Sequence, residues 1–388
     1  MNFLNTNRRF RTELTFSLFR IGLIIVFLTC VPLGNGSAAS SVGSVRAQEG
    51  GNEGPVLYLP FITAVDNGND GNSSVLETRP YSSSSVWNTP IGQDPVYDPH
   101  SADMIATIGL SNEGEITSNT DNYSYTIYYA DESTPRWDIP CLVYRCTIVT
   151  PEGITRTTLL KGVPIPTEAM PSGGDDAQMI VIDKINLTEY DFWGVTRIST
   201  GWEVRNASVY NLAWDGTPEE YSSRGSGIPY MAGLIRPWEI RQGHIDHIIA
   251  FAYPYPTNRG CVFPASKTDG FSDLPYALPE GARLQLDPSL TEADFDTMGL
   301  SPTGKIIARA LQAYGMVLVN ISGRPKIYAE NLNDNPYAKI SWSDPDLKLG
   351  GNVIANIPYT SFRVLALPSA YWNPSPSAFM HGSCYAYP

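Results

Sequence analysis

The chain has 388 residues, with 26 basic against 39 acidic residues, a formal net charge of −13 and only four histidines. That acid excess argues against nucleic acid or an anionic lipid surface as partner, because both demand a basic footprint. It sits instead with an exported protein in contact with water.

The first 47 residues read as an export signal. Arg8, Arg9, Arg11 and Arg20 form a basic leader, and Ile21–Leu33 is an apolar run too short for a comfortable membrane span but suited to a signal core. Cleavage after the small-residue site Val45-Arg46-Ala47 leaves a mature chain starting near Gln48. The remaining chain carries 21 basic and 38 acidic residues, so export sharpens the acidity. Residues 48–78 are rich in Gly, Ser, Asn and acids, and read as a flexible tether. Within it, Asp66, Asp70, Gly71 and Glu77 occupy places of a calcium-loop pattern, but Gly68 supplies no ligand at the third place. A polar linker accounts for the stretch, and no cofactor is expected beyond a structural calcium there.

Residues 79–388 read as a single β-rich domain. The 33 glycines and 31 prolines are spread between short runs of β-branched and aromatic residues, the pattern of an all-β, mainly antiparallel sandwich or jelly roll. Alternation predicts strands at Tyr123–Ala130, Gln178–Asp183, Thr188–Val195, Trp202–Val209, His244–Ala252 and Ala282–Asp287, the second and third joined as a hairpin. One helix is predicted from Asp98 as cap. Another runs from Ser301 through Pro302 to a stop at Gly315, with Ile306, Ile307, Ala310, Leu311 and Tyr314 on one face. Of the four cysteines beyond the leader, Cys141 and Cys146 flank a tight loop, leaving Cys261 to tie Cys384 back to the body. Neither a C-x2-C spacing nor a matching histidine pair supports zinc.

The stretch "GHIDHIIAF" carries two of the four histidines. On a strand His244 and His247 point apart, so they do not converge on a metal. His247 then shares an otherwise apolar face with Ile245, Ile249 and Phe251. Either it is a buried imidazole satisfied at both nitrogens, or it is a general acid or base oriented by a carboxylate, for which Asp183 is the candidate. In the predicted hairpin, Glu189, Asp191 and Trp193 share a face. Two carboxylates beside an indole suit a carbohydrate groove, and equally suit a solvated sheet face. Trp87 and Trp202 are candidate sugar platforms. Arg236, with Arg241 and Arg283, is a candidate uronate ligand, and Tyr314 or Tyr253 a candidate phenol beside His247 for β-elimination. No G-x-S-x-G elbow, P-loop, dinucleotide fingerprint or H-E-x-x-H is present.

Read together, "VWNTPIGQDPVYDPHSADMIATIG", "MIVIDKINLTEYDFWG", "GLIRPWEIRQGHIDHIIAF", "GARLQLDP" and "KIIARALQAYGMVLVN" resemble a family of secreted bacterial proteins of unassigned function. The resemblance spans residues 86–320. It implies one exported domain, matches Trp87, Asp183 and His247 to the family pattern, and leaves His244 and Asp246 on its variable places. It supplies no reaction. The combined expectation is a secreted or cell-surface protein that acts on an extracellular polysaccharide as a hydrolase or lyase, with a non-catalytic carbohydrate-binding or structural module as the alternative.

Overall fold

The computed structural model describes residues 79–150, 152–219 and 223–388. The leader, the tether and the calcium-like loop lie outside them. Strands dominate, and they form two six-stranded sheets. The first runs in spatial order Thr117–Asn119, Lys326–Tyr328, Ile249–Tyr253, Met316–Ile321, Arg283–Leu286, Phe362–Val364. The second runs Thr126–Ala130, Met179–Asp183, Thr188–Trp193, Asn206–Asn211, Cys146–Thr150, Gly153–Thr157.

Antiparallel pairs outnumber parallel ones, as expected, but both sheets are mixed. In the first, Thr117–Asn119 with Lys326–Tyr328 and Ile249–Tyr253 with Met316–Ile321 are parallel pairs. In the second, Thr126–Ala130 runs parallel to Met179–Asp183, and Asn206–Asn211 to Cys146–Thr150. Parallel neighbours need long crossovers. The one between Ile249–Tyr253 and Met316–Ile321 contains the longest helix among the described residues, Pro302–Ala313.

Alternation along the strands divides the core. Ile127, Ile180 and Ile182 of the second sheet join Ile248, Ala250, Val317 and Val319 of the first in one shared cluster. On the first sheet's other side Ile249, Phe251 and Leu318 pack with Ile307 and Leu311 of the long helix. On the second sheet's other side Met179, Val181 and Phe192 pack with Ile139 and Leu160 from a small sheet of Arg136–Pro140 and Leu159–Pro164.

Local signals place the helices well. Ser301 caps Pro302–Ala313 by accepting the Gly304 amide at 3.1 Å, and Gly315 adopts φ 74° just beyond it. The earlier helix is Ser101–Ala106 with His100 at its cap position. Asp98 lies outside it, accepting the His100 amide through Oδ1 and the Trp372 indole through Oδ2, both at 2.9 Å. The predicted hairpin forms, pairing Met179–Asp183 with Thr188–Trp193. The predicted strand Trp202–Val209 is two strands, Gly201–Glu203 and Asn206–Asn211, because Val204 bridges to Cys141 before the chain enters the second sheet. The strand expected from His244 begins only at Ile249, since the helix Pro237–Gln242 and its left-handed cap Gly243 occupy the approach. Both disulfides are as expected, Cys141–Cys146 and Cys261–Cys384.

Candidate functional site

His247 lies on the lead-in to its strand and is 4% exposed. Its Nδ1 meets the Ile248 carbonyl and its Nε2 the Glu239 carboxylate, each at 2.8 Å. Two acceptors require two N–H donors, so this geometry favours an imidazolium. Burial pulls the pKa down, but the Glu239 charge and the hydrogen bonds outweigh it, and the net shift is upward. Glu239 also accepts the Arg236 amide at 2.8 Å, so the pair pins a helix start to a strand start. The expected partner, Asp183, is elsewhere: its carboxylate takes the amides of Ile185 and Asn186 and shapes the hairpin turn. His244 and Asp246 pair with each other at 2.9 Å on the surface.

Glu189 and Asp191 share a face with Trp193, as alternation requires, but that face is not a solvated groove: both acids are 0% exposed. The segment after Ile228 covers them. The Met231 amide donates to Glu189 at 2.9 Å, the Tyr230 amide to Asp191 at 2.8 Å, and the Tyr81 hydroxyl to Glu189 at 2.8 Å. Burial first, then the Glu189 charge, drives the Asp191 carboxyl well above the ordinary carboxylate range, and burial raises Glu189 too. Two carboxyl groups this close and this dry retain a proton between them. They are interior structure, sealed from substrate.

The sugar-platform candidates divide. Trp87 is buried with its indole N–H on the Gly216 carbonyl at 3.0 Å, and Trp202 is buried under Arg197. Arg236 is sequestered by Glu330 at 2.8 Å and by the Tyr129 hydroxyl. Tyr314 is half-buried beside Arg79. Trp193 alone reaches a cleft.

That cleft encloses about 430 Å³, within the range of small-ligand sites. One wall belongs to the second sheet and its loops: Tyr144, Asp176, Gln178, Trp193 and Asn206. The strand that buries Glu189 and Asp191 thus emerges at Trp193, whose indole N–H donates to Asp176 at 2.9 Å. Tyr144, 63% exposed, stacks on Trp193 with ring centroids 6.3 Å apart and planes 26° from parallel. Gln178 is almost wholly buried in this wall, and its carboxamide oxygen meets no hydrogen-bond partner among the described residues.

Lys267, Thr268 and Asp269 make the other wall with Asn320 and Ile321. Behind Asp269 lies Glu280, 0% exposed, whose Oε2 accepts the Asp269 amide at 3.3 Å. Burial, then the Asp269 charge, lifts Glu280 to about 8. Desolvation also raises Asp269 against the opposing pull of Lys267, and lowers Lys267 itself. Between the walls the buried Arg224 closes the floor. Its Nε donates to the Tyr125 hydroxyl at 2.9 Å, Nη1 to the carbonyls of Pro229 and Ala232, and Nη2 to that of Tyr230. The guanidinium also lies over the rings of Tyr125, Tyr230 and Tyr328, a fixed charge held by cation–π contact.

Each disulfide braces one wall. Cys141–Cys146 closes the loop whose Val143 and Tyr144 amides donate to the Arg205 carbonyl, which sets Tyr144 beside Trp193. Cys261–Cys384 holds the C-terminal hairpin against the Lys267 strip, where the Ser383 amide donates to the Ser266 carbonyl at 2.7 Å.

Sequence reasoning found Trp193 and missed Asp176, Gln178, Lys267, Asp269 and Glu280. For all but Glu280 the available signal was position in the polar loops "SGGDDAQ" and "SKTDG", where binding groups concentrate. Among the described residues no group of three His, Cys, Asp or Glu side chains is placed to hold a metal, and no helix is long and apolar enough to cross a membrane. No protein-family description, curated protein or solved structure matches the chain.

Proposed function

We propose that this is an exported β-sandwich protein that recognises an extracellular polysaccharide in the cleft between Trp193 and Lys267. The observation that carries the reading is the stacked Tyr144–Trp193 pair at the rim of a cleft otherwise lined mainly by polar side chains, among them Asp176, Gln178, Asn206, Lys267 and Asp269. Sugars present apolar C–H faces and a fringe of hydroxyls, which is the complement of rings beside planar polar side chains. Export is supported by the basic-apolar leader and by two disulfides, which persist in oxidising compartments. The resemblance over residues 86–320 points the same way.

The test is affinity electrophoresis of the oxidised protein against β-glucan, xylan, galactomannan, pectate and alginate. Retardation by at least one, weakened tenfold or more by Trp193→Ala or Tyr144→Ala with the thermal transition unchanged, is the expected result. Binding by the wild type that both variants retain in full refutes this site.

A further inference from the structure

Recognition alone does not require a carboxyl pair that keeps a proton beside the ligand. Asp269 is exposed at the rim, while Glu280 directly behind it is sealed from water and bonded to its backbone amide. Asp176 stands in the wall contributed by the second sheet, with Oδ1 held by the Trp193 indole, and its charge acts on Asp269. A proton-bearing carboxyl and a second carboxylate in one sugar-sized cleft are the parts glycoside hydrolysis needs. Gln178 adds a buried carboxamide oxygen without a partner, an acceptor suited to a ligand hydroxyl.

Resting on the reading of the cleft as a saccharide site, we infer that it hydrolyses the glycan it holds, with Asp269 as proton donor and Asp176 as the base that activates water. The bond from the anomeric carbon to the bridging oxygen breaks, its electron pair goes to that oxygen, and the Asp269 proton completes the departing hydroxyl. Water oxygen bonds to the anomeric carbon and surrenders its proton to Asp176. The products are two shorter saccharides, one with a new reducing end. Exchange with solvent returns the proton from Asp176 to Asp269. Glu280 is a positioning residue: it orients Asp269 and keeps a proton close to it.

The experiment incubates the full oxidised chain with the same five polysaccharides, reading binding, reducing ends and unsaturated-uronate absorbance in parallel. Expected are reducing ends from a bound polysaccharide and a fall of about 10²–10⁴-fold in their release with Asp269→Asn or Asp176→Asn, well beyond any loss of binding in either variant. Asp269→Ser is the second variant should the amide disturb the loop. Glu280→Gln should remove the ionisation near 8 from the pH–rate profile, because no second carboxyl is left to titrate behind Asp269; a merely structural Glu280 would change the rate without altering that profile. Binding without reducing ends overturns hydrolysis and leaves recognition standing. Absence of binding overturns both. Unsaturated products, or full turnover by Asp269→Asn, overturn the assignment of Asp269.

Discussion

Glu280 offers a quantitative check on the cleft's electrostatics. Its carboxyl titrates near 8 in the folded protein against an ordinary 4.5, with burial as the main cause and the Asp269 charge as the second. Between those values the unfolded chain has released its proton and the native protein has kept it, so stability falls as pH rises, by about 1.4 kcal/mol per pH unit. Across the window the loss approaches about 5 kcal/mol, shared with Asp269 because the two titrate together. Glu280→Gln reproduces the neutral acid: the amide oxygen still accepts the Asp269 N–H, and no ionisation remains. Urea unfolding of wild type and variant from pH 4 to pH 9 is the assay. The two should match within about 1 kcal/mol near pH 4, and the variant should pull ahead progressively to a plateau above pH 8, by several kcal/mol on the same linkage. A constant difference at every pH, or a variant that loses stability at alkaline pH, refutes a buried protonated Glu280.

Three other variants probe the frame. Replacing His247 by Gln should cost about 1–3 kcal/mol through a weakened bond to Glu239, with cleft binding unchanged. Because the folded pKa is raised, the cost is full below His247's ordinary 6.5 and closes as pH rises through the folded value; urea midpoints at pH 5 and pH 9 test this, and a pH-independent cost contradicts it. Arg224→Met removes a donor from three carbonyls and the Tyr125 hydroxyl, at about 3–5 kcal/mol, and a loss below about 1 kcal/mol in urea unfolding would refute its bracing role. Cys261→Ser with Cys384→Ser opens a link spanning 123 positions, which chain entropy values at about 5 kcal/mol. Calorimetry should show the loss, and titration should show weakened glycan binding at a temperature where the variant is still folded.

How far the sequence could be read depended on the range of the interactions. The Pro302–Ala313 helix was legible because Ser301, Pro302 and Gly315 act within a turn of its ends. The Met179–Asp183 and Thr188–Trp193 hairpin was legible for the same reason. Parallel pairings such as Ile249 with Met316 leave no local mark, since the partner lies beyond a crossover. Glu189 and Asp191 were placed on the correct face, but alternation cannot tell a solvated face from one roofed by another segment. Here the roof is Tyr230 and Met231, some forty positions along the chain. His247 was identified as a polar group in an apolar setting, yet its partner Glu239 lay in the preceding short helix, and Asp183 was already committed to its own turn. The cleft draws on loops around Tyr144, Asp176, Lys267 and Asn320, and only their meeting in space gives those residues a common chemistry.

The two cystine-anchored segments have a consequence for how this protein can diversify. Trp193 belongs to a strand whose other inward residues are the buried acids, so it cannot shift without disturbing the interior. The Leu142–Arg145 tip is different: it projects from a covalent collar and leans on the second sheet mainly through backbone amides. A descendant could exchange the residues inside that collar and present a new surface to a different glycan, while inheriting the scaffold beneath it intact.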